Sequence, residues 1–406
     1  MQALIFLMLS WYNTRMRVNF WKKAYSAVIA ASALLLCACA DVDEMKQIVT
    51  DTYENASQIV GDTVDSVKLP DPKDVASVSA DKYVYRQLDG EARVCYDQML
   101  DCIMHFEDGV TLSTTDADVI ERAFEAIFAD YGGLFWADGY AYKTYYRGDA
   151  VVGITFSPKY TMTKEERDAY QAKVDAVVDA WLSELPEGAD DYTKAKFVFE
   201  TLIERVDYDT QSENNQNILS VFLGDATVCQ GYADATSVLL SELGIPSTVI
   251  SGRANNEAHA WNLVVLDGEY YFIDTTWGNS RYTDAATNSV KHVNYAYLNV
   301  TSEELLRNHT VLSTFTIPEC TATADNYYRH EGLYFDYFDV NAIGNVFAEG
   351  YYNGADSSTV KMADADLYAQ MKQYFITDGR IADYCSGIRS ITYLESEETN
   401  VLTIEW

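Results

Sequence analysis

A thiol, an imidazole and a carboxylate follow one another within one short span of this chain. Cys229 lies in Thr227-Val228-Cys229-Gln230-Gly231-Tyr232-Ala233, His259 in His259-Ala260-Trp261-Asn262, and Asp274 in Asp274-Thr275-Thr276-Trp277. Together they could perform nucleophilic acyl transfer. The thiol would attack a carbonyl carbon, the imidazole would take and return its proton, and the carboxylate would orient the ring and stabilise imidazolium. Taken singly, a cysteine reads as a small core residue and a strand histidine as a satisfied one; only their joint placement points to chemistry.

The elements that must position them can be read locally. Tyr232, Ala235, Thr236, Leu239 and Leu243 follow Cys229 at helical spacing, and Gly244 and Pro246 end the run, which predicts a helix starting at or just after the cysteine. A thiol there faces unpaired N–H groups and the positive end of the macrodipole, which lower its pKa from about 8.5 towards roughly 3.5 to 7.5. Gly231 lets another backbone pack closely. Asp267-Gly268, between 262–266 and 269–273, predicts a two-residue type I′ hairpin. Leu266 then pairs with Glu269, Trp261 with Asp274 and His259 with Thr276. His259 and Asp274 become diagonal neighbours on one face, about 7 to 8 Å apart at Cα, within reach of a side-chain hydrogen bond. The Cys229 N–H is a natural oxyanion donor. Trp261, Gln216 and Asn217 are candidates for the second donor. Gln230, Tyr232 and Trp277, beside the three motif residues, are further candidates for oxyanion or substrate contact.

These three motifs resemble those of the transglutaminase-like superfamily, the papain-related cysteine fold. Less strictly, residues 83 to 340, with Phe135-Trp136, Pro158-Lys159-Tyr160 and Asp325-Asn326-Tyr327-Tyr328, resemble bacterial lipoproteins carrying such a domain. The resemblance implies an α+β fold, with a nucleophile helix packed on an antiparallel sheet that carries His and Asp. It also implies acyl transfer at peptide or protein amide bonds, by hydrolysis or transamidation, with Cys229, His259 and Asp274 as the triad. The papain-type oxyanion glutamine has no counterpart, because Leu223 stands six positions before the nucleophile. No Asp-x-Asp-x-Asp-Gly loop appears, so calcium dependence does not carry over. No cofactor or metal is expected. His292 and His309 lack metal-ligand spacing and read as structural or surface residues. A binding or scaffold protein that retains the fold without turnover is the alternative of another class.

The rest of the chain delivers this core. Of its 406 residues, 48% are hydrophobic and 22% charged, enough for a full core and two or three lobes, and its net charge of −33 argues against nucleic acid as a partner. Removing the first 38 residues, with four cations and no acid, takes the charge to −37. Anionic headgroups would be repelled, so membrane attachment needs a covalent or hydrophobic anchor. Arg17, Lys22 and Lys23 precede the apolar run Ala27 to Leu36 and then Cys37-Ala38-Cys39-Ala40, the pattern of a signal peptide too short to span a membrane. Leu36-Cys37-Ala38-Cys39 resembles a lipobox and makes Cys39 the lipidation candidate; secretion after ordinary cleavage is the alternative. Either route places the protein in the cell envelope, on the outer side of the cytoplasmic membrane, or outside the cell. Its substrate would be a peptide or protein, with cell-envelope material one option. The oligomeric state is not legible.

The reading divides the chain into a leader (1–38), a tether (39–80), a helical and hairpin region (81–190), the catalytic core (191–315) and a small α+β module (316–406). Within the tether, Val42 to Val67 carry helical spacing. In the region from 81, one helix carries Leu88, Ala92, Cys95, Met99, Cys102 and Phe106, and a second, capped by Thr115 or Asp116, carries Ile120, Phe124, Ile127 and Tyr131. Two strands flank Arg147-Gly148-Asp149, which reads as a turn rather than an adhesion motif. Thr163 to Glu166 form a capping box for a helix burying Tyr170, Val174, Val177, Val178 and Trp181. Val293 to Asn299 reads as a strand, and the C-terminal module as an aromatic hairpin, a helix and closing strands. Cys320 and Cys385 could pair in an oxidising compartment, whereas Cys95 and Cys102 cannot bridge.

Overall fold

The computed structural model describes residues 26–28, 69–147, 150–279 and 293–406. Cys39, the stalk pattern from Val42 to Val67, Gly148-Asp149 and His292 lie outside them. The fold is α+β. Among the described residues no helix is long and apolar enough to cross a membrane.

A short strand β1 (Ser26–Val28) pairs with the edge of the first sheet. Helix α1 (Gly90–His105) begins where the Asp89 side chain accepts from Ala92 N, and it buries Ala92, Cys95, Met99 and Cys102. After strand β2 (Val110–Thr111), Asp116 caps α2 (Ala117–Asp130), whose buried face contains Ile120, Phe124 and Ile127. Strands β3 (Ala137–Arg147) and β4 (Ala150–Tyr160) pair antiparallel, giving the sheet order β1-β3-β4-β2. The predicted capping box opens α3 (Lys164–Leu182). Its buried face is narrower than expected: only Val174 and Val178 are buried, while Tyr170 is 37% exposed. The helix lies on the surface, and one apolar stripe is all it covers.

Helix α4 (Asp191–Arg205) buries Ala195, Val198 and Leu202. It leads through β5 (Asp207–Tyr208), α5 (Ile218–Phe222) and β6 (Ala226–Thr227) into α6 (Cys229–Glu242), which stops before Gly244 at φ 76°. Strands β7 (Ser247–Ala254), β8 (Glu257–Leu266) and β9 (Glu269–Ile273) follow. The β8–β9 turn has φ 49° at Asp267 and 85° at Gly268, the two positive values a type I′ turn requires, and Leu266 pairs with Glu269 as expected. The ladder stops at Asn262 and Ile273, however. Asp274 is not a strand residue: it caps the short helix α7 (Thr275–Gly278), its side chain accepting from Trp277 N. Thr276 therefore never pairs with His259.

The strand expected from Val293 to Asn299 is instead a 3-10 turn at Tyr295–Tyr297. The Asn294 side chain accepts from Ala296 N, and the turn delivers the Tyr297 carbonyl to Asp274 N, at 3.2 and 3.0 Å. Helix α8 (Ser302–Leu305), with a capping box from Thr301 and Glu304, precedes β10 (His309–Val311). Strand β10 completes an antiparallel sheet of order β10-β7-β8-β9. One continuous core runs from Val84 through the helices and sheets to Tyr328.

Beyond α9 (Tyr327–His330), strand β11 (Tyr334–Phe335) pairs parallel with β12 (Ser357–Met362). The expected aromatic hairpin is instead β11 followed by α10 (Val340–Asn353). Asp339 caps α10, Ile343 and Phe347 share its buried face, and Gly354 ends it at φ 72°. Helix α11 (Ala365–Lys372) and strands β13 (Thr392–Ser396) and β14 (Val401–Glu405) complete the module, which has its own core around Phe347, Met371 and Phe375. The Cys320–Cys385 pairing is not formed. Both are free and buried, Cys320 in the larger core and Cys385 in the smaller, and Cys95 and Cys102 are free as well.

Candidate active site

Cys229 is the first residue of α6. The residue before it, Val228, has an apolar side chain and makes no side-chain cap hydrogen bond. The helix is anchored below its first turn. Tyr232 donates its hydroxyl to Val206 O at 2.7 Å, and Thr236 meets Thr275 of α7 at 2.9 Å. Asn262 of β8 donates to Ala233 O at 2.9 Å. Cys229 packs with Ala233, Val249 and Ala260, so it lies beside the residue next to His259. Gly231 allows a close approach as expected, since a Cβ there would lie 2.0 Å from Thr227 Oγ1 and 3.2 Å from Asn215 O. Cys229 is in disulfide form in this structure, and the chemistry considered below is that of its reduced state.

His259 and Asp274 do meet, though not as diagonal strand neighbours, because Asp274 lies beyond the end of the ladder: Nε2 and Oδ2 are 2.7 Å apart and both side chains are buried. That bond occupies Nε2 and leaves Nδ1 for other partners. Trp277 stands edge-on to the His259 ring at 6.4 Å between centroids, shielding the bond from water. Burial opposes the Asp274 charge, but attraction to His259 and hydrogen bonds from His259 and His309 outweigh it. They hold the carboxyl well below the usual carboxylate range.

Of the structural or surface roles expected for His309, the structure excludes the surface one: the residue is buried against Asp274. Its Nε2 lies 2.9 Å from the same Asp274 Oδ2, and its side chain is fully buried. Sequence spacing holds no signal for it, because it arrives from the edge strand β10 through pairing with Ala254 of β7. His259, Asp274 and His309 each offer a ligand atom within 4.8 Å of the others. A cation there would take His259 Nε2 away from Asp274.

The cleft beside these residues measures about 600 Å³ and lies between the α2 end, α6, β7 and residues 312–315. Gln216, Asn217 and Gln230 line it, as does His259. Gln216 and Gln230 each keep a buried side-chain oxygen without a hydrogen bond. Asn217 is committed as the α5 cap, accepting from Leu219 N at 2.9 Å. Trp261 is fully buried, stacked on His259 at 5.9 Å, and its Nε1 has no hydrogen-bond partner among the described residues. Its ring is seated over Gly252 of β7, where a Cβ would come within 2.4 Å of it. Tyr232 faces the core, not the cleft, so it supports the helix. Asp234, one turn along α6, went unnoticed in the sequence. Burial pushes its carboxyl well above the ordinary value against a 3.0 Å hydrogen bond from Gln230.

Residues 179–275 match the family model described as the transglutaminase-like superfamily. A search of curated proteins finds no match. Among solved structures, the chain is similar to a TGase, with 14% identity, 39% of this chain and 47% of that one covered, and a TM-score of 0.26. It is also similar to a provisionally assigned cysteine protease from Cytophaga hutchinsonii, with 15% identity, 42% and 68% covered, and a TM-score of 0.24. The periplasmic domain of TgpA from Pseudomonas aeruginosa gives 16% identity, 30% and 55% covered, and a TM-score of 0.21. The match to the TGase spans about half of that chain's length.

Proposed function

Because the chain carries a transglutaminase-like core, we propose that it is a cysteine acyl-transfer enzyme acting on peptide or protein amide bonds, with water as the preferred acyl acceptor. The observation that carries this reading is the buried 2.7 Å bond between His259 and Asp274, beside a cysteine that opens an uncapped helix. The Cys229 thiol gives its proton to His259 Nδ1, and the imidazolium is stabilised by Asp274 through Nε2. Sulfur bonds to the carbonyl carbon while the C=O electron pair moves to oxygen. First-turn N–H groups of α6 receive that oxyanion, with the Gln216 carboxamide, which lines the cleft, a candidate second donor. The C–N bond then breaks, and His259 returns the proton to the leaving amine. Water, deprotonated by His259, opens the thioester and restores the thiol.

Water is preferred because transamidation needs a site that excludes it, and the lining of this cleft includes the exposed residues Leu312 and Thr314. Incubating the reduced protein with peptides and a labelled amine tests this. New carboxyl termini, lost in Cys229→Ala, support hydrolysis. Label incorporation lost in the same variant overturns the acceptor preference, and neither product points to a scaffold. The reading places the enzyme outside the cytoplasmic membrane, anchored through a lipid on Cys39. Detergent partitioning abolished in Cys39→Ser supports that anchor, and unchanged partitioning refutes it.

A further inference from the structure

Beyond the three motif residues, a chain of hydrogen bonds leaves Asp274 in the opposite direction from His259. His309 Nε2 lies 2.9 Å from Asp274 Oδ2, and His309 Nδ1 lies 2.6 Å from Asn308 Oδ1. Asn308 Nδ2 lies 3.1 Å from the carboxylate of Glu398 and 3.0 Å from the Tyr297 hydroxyl. Glu398 sits on the exposed turn between β13 and β14 of the C-terminal module.

Proton counting fixes the polarity of this chain. A carboxylate only accepts, so the Asn308 face towards Glu398 must be its NH2. The face towards His309 is then the carbonyl oxygen, which also only accepts. His309 is left with an acceptor at each ring nitrogen, the Asn308 carbonyl and the Asp274 carboxylate, and only the doubly protonated ring satisfies both. The groups packed around it agree: among the described residues Asp274 is the one anion in direct contact, Trp261, Trp277 and Tyr297 present ring faces and edges, and His259 lies 5.4 Å away between centroids.

We propose that His309 is a positioning residue of this site, an imidazolium clamped between Asp274 and Asn308 that couples the triad to the C-terminal module through Glu398. The inference rests on the triad reading for its function but on geometry for its existence. His309 fixes Asp274 in the rotamer that receives His259. It also occupies the same Asp274 oxygen that receives His259, so the two rings share one carboxylate. The C-terminal module gains a role, because movement of its Glu398 turn changes the partner of Asn308.

Two measurements on the reduced full-length chain test this. In the first, 15N-histidine NMR near pH 7.5, with the His309 signals assigned by their loss in His309→Gln, is expected to show both His309 nitrogens protonated. A singly protonated ring overturns the proposal, as does stoichiometric zinc that is retained on purification and lost in His309→Gln. In the second, carboxamidomethylation of Cys229 is followed against pH. His309→Gln keeps a donor to Asp274 and removes the charge, so the high-pH step belonging to His259 should move up by about one unit. Glu398→Ala should move it the same way by less. An unmoved step in folded His309→Gln overturns the positioning role, and an unmoved step in Glu398→Ala overturns the coupling. Slow labelling of wild-type Cys229 with His309 doubly protonated would sink the acyl-transfer reading while leaving the clamp in place.

Discussion

Asp274→Asn separates the charge of the site from its shape. The carboxylate now accepts three hydrogen bonds: His259 and His309 on Oδ2 at 2.7 and 2.9 Å, and Trp277 N on Oδ1 at 3.0 Å. A carboxamide has one oxygen for the three. With that oxygen towards Trp277, its NH2 faces both imidazoles and two charge-assisted bonds are lost, each worth about 1.5–3 kcal/mol. With the oxygen towards the imidazoles, the NH2 abuts the Trp277 N–H and the helix cap is lost, about 1 kcal/mol, while the imidazole bonds weaken. The first orientation should cost the fold about 3–6 kcal/mol and the second about 1 kcal/mol plus the weakened imidazole bonds, so the variant should be destabilised by at least about 1 kcal/mol. The first orientation also makes His259 accept at Nε2, which puts its proton on Nδ1, so it cannot receive the thiol proton. The equivalent change in serine triads costs about 10⁴-fold. Amide hydrolysis should therefore fall about 10³- to 10⁴-fold at 25 °C in protein shown folded by near-UV circular dichroism. Activity within tenfold of wild type would refute the orienting role of Asp274, and an unchanged melting temperature would refute the hydrogen-bond geometry.

Three further outcomes follow from the packing. Gly252→Ala adds a Cβ 2.2 Å from the Thr310 carbonyl and 2.4 Å from the Trp261 ring, so β10 must shift; thermal melts should show a loss of about 1–3 kcal/mol, with reduced activity as His309 moves. Glu304→Gln leaves the buried Lys361 without its 2.5 Å partner and should cost about 3–5 kcal/mol by denaturant titration. Burial pushes the Glu304 carboxyl up, but Lys361 and Thr301 outweigh it and hold it below its usual value. Its stabilisation is therefore complete above the unfolded carboxylate range and is lost as pH falls through the folded value, so Glu304→Gln should flatten the acid limb of stability. Burial pushes the thiols of Cys95, Cys102 and Cys320 up to about 12, so none should alkylate in the native state near neutral pH; mass mapping of adducts on these residues would contradict the packing.

What was legible in the sequence was local. The Asp267-Gly268 turn fixes the β8–β9 register through two positive φ angles and so brings His259 and Asp274 to the same end of the hairpin, but the ladder ends at Asn262 and Ile273, and the contact itself is made from a helix cap rather than from a shared strand face. The start of α6 was legible because the apolar spacing begins at Cys229 and Gly244 ends it. Non-local contributions were hidden. His309 reaches Asp274 only because β10 docks on the far edge of the sheet, a pairing no spacing encodes. Helix α10 was missed because its tyrosines and glycines suggest a hairpin, while the Asp339 cap and the Ile343–Phe347 stripe decide for a helix. The Asp274 helix cap escaped for a related reason: Thr275 and Thr276 favour strands, and a side-chain bond to Trp277 N overrides them.

The central claim is that Cys229 is a nucleophile activated by His259, and the pH profile of its alkylation in reduced protein tests that most directly. The account predicts rapid carboxamidomethylation of Cys229 at pH 6, at least tenfold faster than an ordinary thiol of pKa about 8.5. In His259→Ala it predicts that the fast phase at low pH is lost. Identical profiles in wild type and His259→Ala, or a wild-type Cys229 no more reactive at pH 6 than an ordinary thiol, would contradict it.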